Sequence, residues 1–325
     1  MKLYIILTIF LIFGALFSPF VVFSHTSSTK MPQVTESQNY EKTLTDKTEQ
    51  TIKVLRVNSG KIVEKEISDY VKGTVAAEIS PEYEKEAIKA QAVVCYTYAL
   101  WLKKNADNAR LDGADISDDA SKHQGFLDDD ELKDKWGDKY ELYIEKINEC
   151  VGEVNGKYLA YDGEPIMACY HAISSGRTES AKTVWGNDIP YLKSVVANGD
   201  LLSPNIDSTV SLSDSKFKKY AEKLDGVKLS KNSSKWVSEI KNAKSGFVTS
   251  IKIGSKTFNG NDIRSAFSLR SPAFTVKKTA DGFLFNVKGY GHLVGMSQYS
   301  ADYMARQGAT YDEILMHFFS GTTLN

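Results

Sequence analysis

Cysteine, proline and any surplus of charge are scarce in this 325-residue chain. The three cysteines, Cys95, Cys150 and Cys169, are an odd number with no CxxC spacing. They demand no disulfide framework and suggest no zinc ribbon. Lysine plus arginine, 40, against aspartate plus glutamate, 41, leaves a net charge of -1. That balance removes the electrostatic case for nucleic acid as a partner. Beyond the N-terminus there is no second long apolar run, which excludes a multi-span transporter. No GxSxG elbow occurs, so a serine hydrolase built on His171 or His292 lacks its nucleophile turn. There is no internal repeat.

What is present starts with "MKLYIILTIFLIFGALFSPFVVFS", apolar from Leu3 to Phe23. A run of about 20 residues can cross a bilayer as a helix, whereas signal-peptide cores run about 7–15. Residues 1–24 are expected to be an uncleaved transmembrane anchor, with a cleaved signal as the competing reading. Lys2 points the N-terminus to the cytoplasm, which makes a single-pass protein of the cell membrane. Residues 25–50 are polar and cannot bury enough surface to fold, so they read as a flexible tether. Residues 51–325 then form the extracytoplasmic domain.

Within it, alternation around Ser59-Gly60 predicts a β-hairpin, as do the turns at Asp162-Gly163, Gly254-Ser255 and Asp281-Gly282. In "VAAEISPEYEKEAIKAQAV" Ser80 fits an N-cap and Pro81 a first helical position. Ile88, Ala92, Cys95, Ala99 and Leu102 then make the apolar face of that helix. A second helix is expected from Asp128 to about Cys150, and another from about Ser297 to Gln307. Residues 205–245 carry few strong signals and read as a peripheral insertion. Helices and strands in no regular βαβ order argue an α+β fold, expected as two lobes around a substrate groove.

Three stretches could carry chemistry. Glu78 sits among Val75, Ala76, Ala77 and Ile79, just before the expected cap. A carboxyl group in an apolar recess can hold a proton near neutral pH and donate it, as glycosidic cleavage requires. The alternative is a helix cap or a partner for a lysine. "CYHAISSGRTES" offers Ser175, Gly176 and Thr178 in a small polar loop able to grip sugar hydroxyls, or an ordinary Ser-Gly turn. Cys169 and His171 could meet His123 around a metal ion. "KGYGHLVGMSQYSADYMARQG" brackets His292 with glycines and puts Gln298 and Tyr299 at a helix entrance, as a ligand-lining loop or a glycine-rich turn.

Taken in order, "YVKGTVAAEISPEYEKEAIKAQAV", "CYHAISSGRTESAKTVWG…PYLKSV" and "GYGHLVGMSQYSADYMARQGATYDEILMHFF" resemble the stage II sporulation protein D family. The likeness runs from Tyr70 to Phe319, apart from the 205–245 region. It implies a peptidoglycan lytic transglycosylase of engulfment, cleaving the β-1,4 bond between N-acetylmuramic acid and N-acetylglucosamine in peptide-stripped glycan strands. The products would carry 1,6-anhydro-muramyl ends. It implies Glu78 as the acid, with Ser175, Gly176, Thr178, His292, Gln298 and Tyr299 toward substrate. It also implies a sporulation amidase and a membrane scaffold protein as partners. The alternative within the family is a glycan-binding activator of an amidase. Tyr96 stands where the family usually has arginine, Ser175-Gly176 where it has two glycines, and Leu293 where it has glycine. No cofactor is implied as a requirement. Some members hold zinc in the region matching "DISDDASKHQ", for which this chain offers His123, with Asp118 where a cysteine is expected.

Overall fold

The computed structural model describes residues 51–105 and 108–325. The expected anchor and tether, residues 1–50, lie outside them. Among the described residues no helix is long and apolar enough to cross a membrane. The fold is α+β.

The chain opens with strands β1 (Thr51–Arg56) and β2 (Lys61–Glu66), the hairpin expected around Ser59-Gly60. Helix α1 (Ile67–Glu78) follows directly. Helix α2 (Lys85–Asn105) comes next, then the short strand β3 (Ile116–Ser117), parallel to β1. The single helix expected from Asp128 to Cys150 is two, α3 (Asp129–Trp136) and α4 (Tyr140–Glu153). Gly137 at φ +52 lies between them and ends the first. Strands β4 (Leu159–Tyr161) and β5 (Glu164–Pro165) close the Asp162-Gly163 hairpin. Strand β6 (Tyr170–His171) precedes helix α5 (Ala181–Trp185).

Then come β7 (Asp207–Leu212), α6 (Asp214–Ala221), β8 (Val237–Asn242), β9 (Val248–Ile253) and β10 (Lys256–Phe258). Helix α7 (Gly260–Phe267) leads to the hairpin of β11 (Ala273–Thr279) and β12 (Gly282–Lys288). Strand β13 (Met296–Ser297), helices α8 (Gln298–Arg306) and α9 (Tyr311–Phe318), and β14 (Thr323–Leu324) complete the chain.

Two large apolar clusters hold these elements. The first is built around α2, which buries Ile88, Ala92, Cys95, Ala99 and Leu102 as its pattern predicts. It also buries Ala90, Val93 and Val94, so the helix runs through the interior. Helices α1, α4, α8 and α9 pack on it. The second cluster centres on Phe217, whose ring lies 4.0 Å from that of Phe283, 4.9 Å from Phe267 and 5.7 Å from Trp236. Residues 205–245, read from the sequence as a peripheral insertion, supply Leu212, Phe217 and Trp236 to this cluster. Strand β7 pairs along β12, with Val210 opposite Phe285.

One connection matters most for the site. Strands β6 and β13 pair in parallel, Met296 with Tyr170 and Ser297 with His171. This brings the "CYHAISSG" and "GYGHLVGMSQY" stretches side by side.

Candidate functional site

Glu78 is not on a segment leading into a helix, as its sequence context suggests. It is the last residue of α1, and Ile79 is already extended at φ -116° and ψ 153°. Ser80 and Pro81 do not start α2, which begins at Lys85. They form a turn in which Tyr83 N–H donates to Ser80 O at 3.1 Å. The residue before a proline avoids the helical region, so Pro81 acts as the stop of α1. The sequence signal for α1 is the spacing of Tyr70, Val71, Thr74 and Val75, all buried, but Gly73 and the β-branched residues weaken it. A helix C-terminus carries partial negative charge, which disfavours a carboxylate.

The carboxyl group is enclosed although the residue keeps some surface open. Burial raises its pKa from 4.5 to about 7, against the opposing effects of the Gly125 N–H, the Lys135 charge and the Tyr170 hydroxyl. Gly125 N–H donates to Glu78 Oε1. A Cβ at Gly125 would stand 2.8 Å from that oxygen, so the contact depends on glycine. Gln124 sets the position of Gly125. It is fully buried, its Oε1 accepts from Tyr70 OH at 3.1 Å, and its Nε2 donates to Tyr170 OH at 3.5 Å. Tyr170 hydroxyl, having accepted there, is free to donate to Glu78.

From the other side, Gln298 Nε2 donates to Glu78 backbone O at 3.1 Å and to Gln91 Oε1 at 3.2 Å. Gln298 thus ties α1 to α2 and is itself buried. His292 is buried beside His171 and Trp185, ring centroids 5.7 Å from each. Its Nδ1 accepts from Val294 N–H at 3.1 Å, and its other nitrogen bonds the Tyr170 carbonyl. Burial holds its pKa well below the usual histidine range, so it stays neutral. His171 Nδ1 donates to Val294 O at 3.1 Å.

The "SSGRT" loop is held mainly by bonds to neighbouring segments. Ser174 N–H donates to the buried Asp200 at 2.7 Å, and Gly176 N–H to Ser174 Oγ at 3.1 Å. Ser175 Oγ donates to Ser245 O. Thr178 is fully buried, its N–H on Val195 O at 2.9 Å and its Oγ1 accepting from Val195 N–H at 2.9 Å. Ser175, Gly176 and Tyr299 keep partial exposure. Tyr299 OH donates to Leu202 O at 3.3 Å. His123 lies apart from these, its Nδ1 2.7 Å from Ser117 Oγ. Among the described residues no three His, Cys, Asp or Glu side chains come together in a metal-holding group. All three cysteines are buried and unpaired. A cavity of about 620 Å³ opens beside the site, lined by Gly73, Phe126, Asp129 and Tyr140 but not by Glu78.

A stage II sporulation protein family model matches residues 56–161, which includes Glu78, Gly125 and Lys135. Stage II sporulation protein D of Bacillus subtilis is 35% identical over 276 residues, 85% of this chain and 79% of that one. This chain belongs to the stage II sporulation protein D family. Its counterpart in Bacillus amyloliquefaciens is 34% identical over the same share of this chain and 78% of its own. More distant is an amidase enhancer of Bacillus subtilis, 26% identical over 78% of this chain and 40% of that protein. The family model spans the first of the three sequence stretches, and the pairing of β6 with β13 joins the other two.

Proposed function

We propose that this member of the sporulation family is a peptidoglycan lytic transglycosylase acting on peptide-stripped glycan strands. The observation that carries the reading is one enclosed carboxyl group, Glu78, poised near neutral pH. Non-hydrolytic cleavage needs one group acting twice. It first gives a proton to the leaving glycosidic oxygen, then takes one from the muramyl 6-hydroxyl as the anhydro ring closes. A pKa of about 7 serves both halves, since the group is neither a strong acid nor a strong base. Between the two steps the charge on Glu78 rests on the Gly125 N–H and the Tyr170 hydroxyl. Ser175, Gly176 and Tyr299 keep the surface needed to meet a sugar. Thr178, His292 and Gln298 would act by holding the frame.

The relative named as an amidase enhancer supports a second reading, in which the chain binds glycan and stimulates an amidase. In either reading the chain would work at the cell membrane, with an amidase and a membrane scaffold protein of engulfment as partners. Incubating the purified protein with peptide-free glycan strands and measuring anhydro-muramyl ends by mass spectrometry separates the two. Wild type is expected to release them, and Glu78→Gln to lower the rate by about 10²-fold or more. Equal release by both proteins would remove Glu78 from the chemistry. Release by neither would leave the binding reading.

A further inference from the structure

Lys135 stands on α3, a separate element from the helix that carries Glu78. The residue is exposed, and its ammonium reaches the end of α1. Nζ donates to Ala76 O at 3.0 Å and to Ala77 O at 3.3 Å. These are two of the carbonyls that a helix end leaves without an intrahelical partner. Capping them with a cation offsets the negative end of the helix beside the acid.

The groups that face Glu78 are Tyr70 from its own helix, Cys95 from α2, Tyr170 from β6 and Lys135 from α3. Burial keeps both tyrosines and the Cys95 thiol protonated at neutral pH, so none of the three contributes charge. Lys135 is the cation in this group.

We propose that Lys135 is a positioning residue for Glu78, holding the last turn of its helix and facing its carboxylate with a positive charge. The proposal rests on the cleavage reading for its purpose, but not for its measurement. In the two-step reaction the anionic Glu78 must persist long enough to take the second proton. A lysine bonded to backbone, rather than to the carboxylate itself, steadies that anion without occupying the oxygens that transfer the proton.

The test is a ¹³C titration of the Glu78 carboxyl in the full-length protein, assigned by its loss in Glu78→Gln. Lys135→Met removes both the cap and the charge. Lys135→Gln keeps an N–H donor for the carbonyls and removes only the charge. Both are expected to raise the Glu78 midpoint by about half a unit or more, while Lys135→Arg holds it near wild type. Lys133→Met is the control: Lys133 lies on the same helix but reaches Asp130 at 3.5 Å. The descending alkaline limb of the cleavage rate should move upward with the midpoint in Lys135→Gln. An unmoved or lowered midpoint in Lys135→Gln, or an equal rise in Lys133→Met, overturns the proposal. Should wild type fail to cleave glycan while the midpoints shift as expected, only the cleavage reading falls.

Discussion

Glu78 makes folding depend on pH in an unusual direction for a carboxylate. Its folded pKa, about 7, lies above its ordinary value of 4.5. The neutral acid is therefore the form that the fold favours. Its contribution is fully present below the ordinary value and is lost as pH rises through the folded one. Between pH 5 and pH 8 the wild type should lose about 2 kcal/mol from this group alone. Glu78→Gln has no such ionisation, so its advantage in urea unfolding should grow across that interval. A constant difference between the two proteins would show that the carboxyl titrates near its ordinary value. Leu293 is a second residue under tension. It takes φ +71, a region that favours glycine, yet it is completely buried in the first cluster. Packing outweighs backbone preference there.

Helix α3 brings Lys135 to the end of α1, so what holds α3 in place matters to the acid. Its start is a capping box: Asp128 accepts from Glu131 N–H at 3.1 Å, and Glu131 accepts from Asp128 N–H at 2.9 Å. Asp128→Ala should cost about 1–2 kcal/mol in thermal or urea unfolding, with Asp128→Asn restoring most of it. Recovery no better than alanine would mean that the cap is not the source. Elements of this kind were legible in the sequence wherever turn residues spoke for themselves. Asp162-Gly163 and Gly254-Ser255 sit at hairpin turns, and the turn expected at Asp281-Gly282 is one residue earlier, at Ala280-Asp281, with Gly282 already in β12. The boundary beside Glu78 was not legible, because Ser80-Pro81 serves equally as the start of one helix or the stop of another. The partners of Glu78 were harder still. Gly125, Lys135 and Gln298 lie 47, 57 and 220 positions away, and no local spacing announces a tertiary contact. Tyr170 stands between Cys169 and His171, two metal-ligating types, and nothing in that local pattern shows its hydroxyl reaching Glu78.

The two large apolar clusters give the whole molecule a division that single elements do not reveal. Phe217 is fully buried at the centre of the second one, so Phe217→Ala should destabilise the protein by about 3–5 kcal/mol. Hydrogen exchange is expected to quicken in β7, β9, β11 and β12 while α1 and α2 keep their protection. Uniform quickening in all elements would mean that the clusters open as one unit. The Gln298 bridge has a further consequence, in the order in which the protein is made. The helix carrying Glu78 leaves the ribosome early, but its last carbonyl receives the Gln298 amide only after 220 more residues have been added. A nascent or truncated chain that lacks this segment can form α1 without the Gln298 link that joins it to α2. The frame around the acid is therefore completed only after synthesis has passed residue 298.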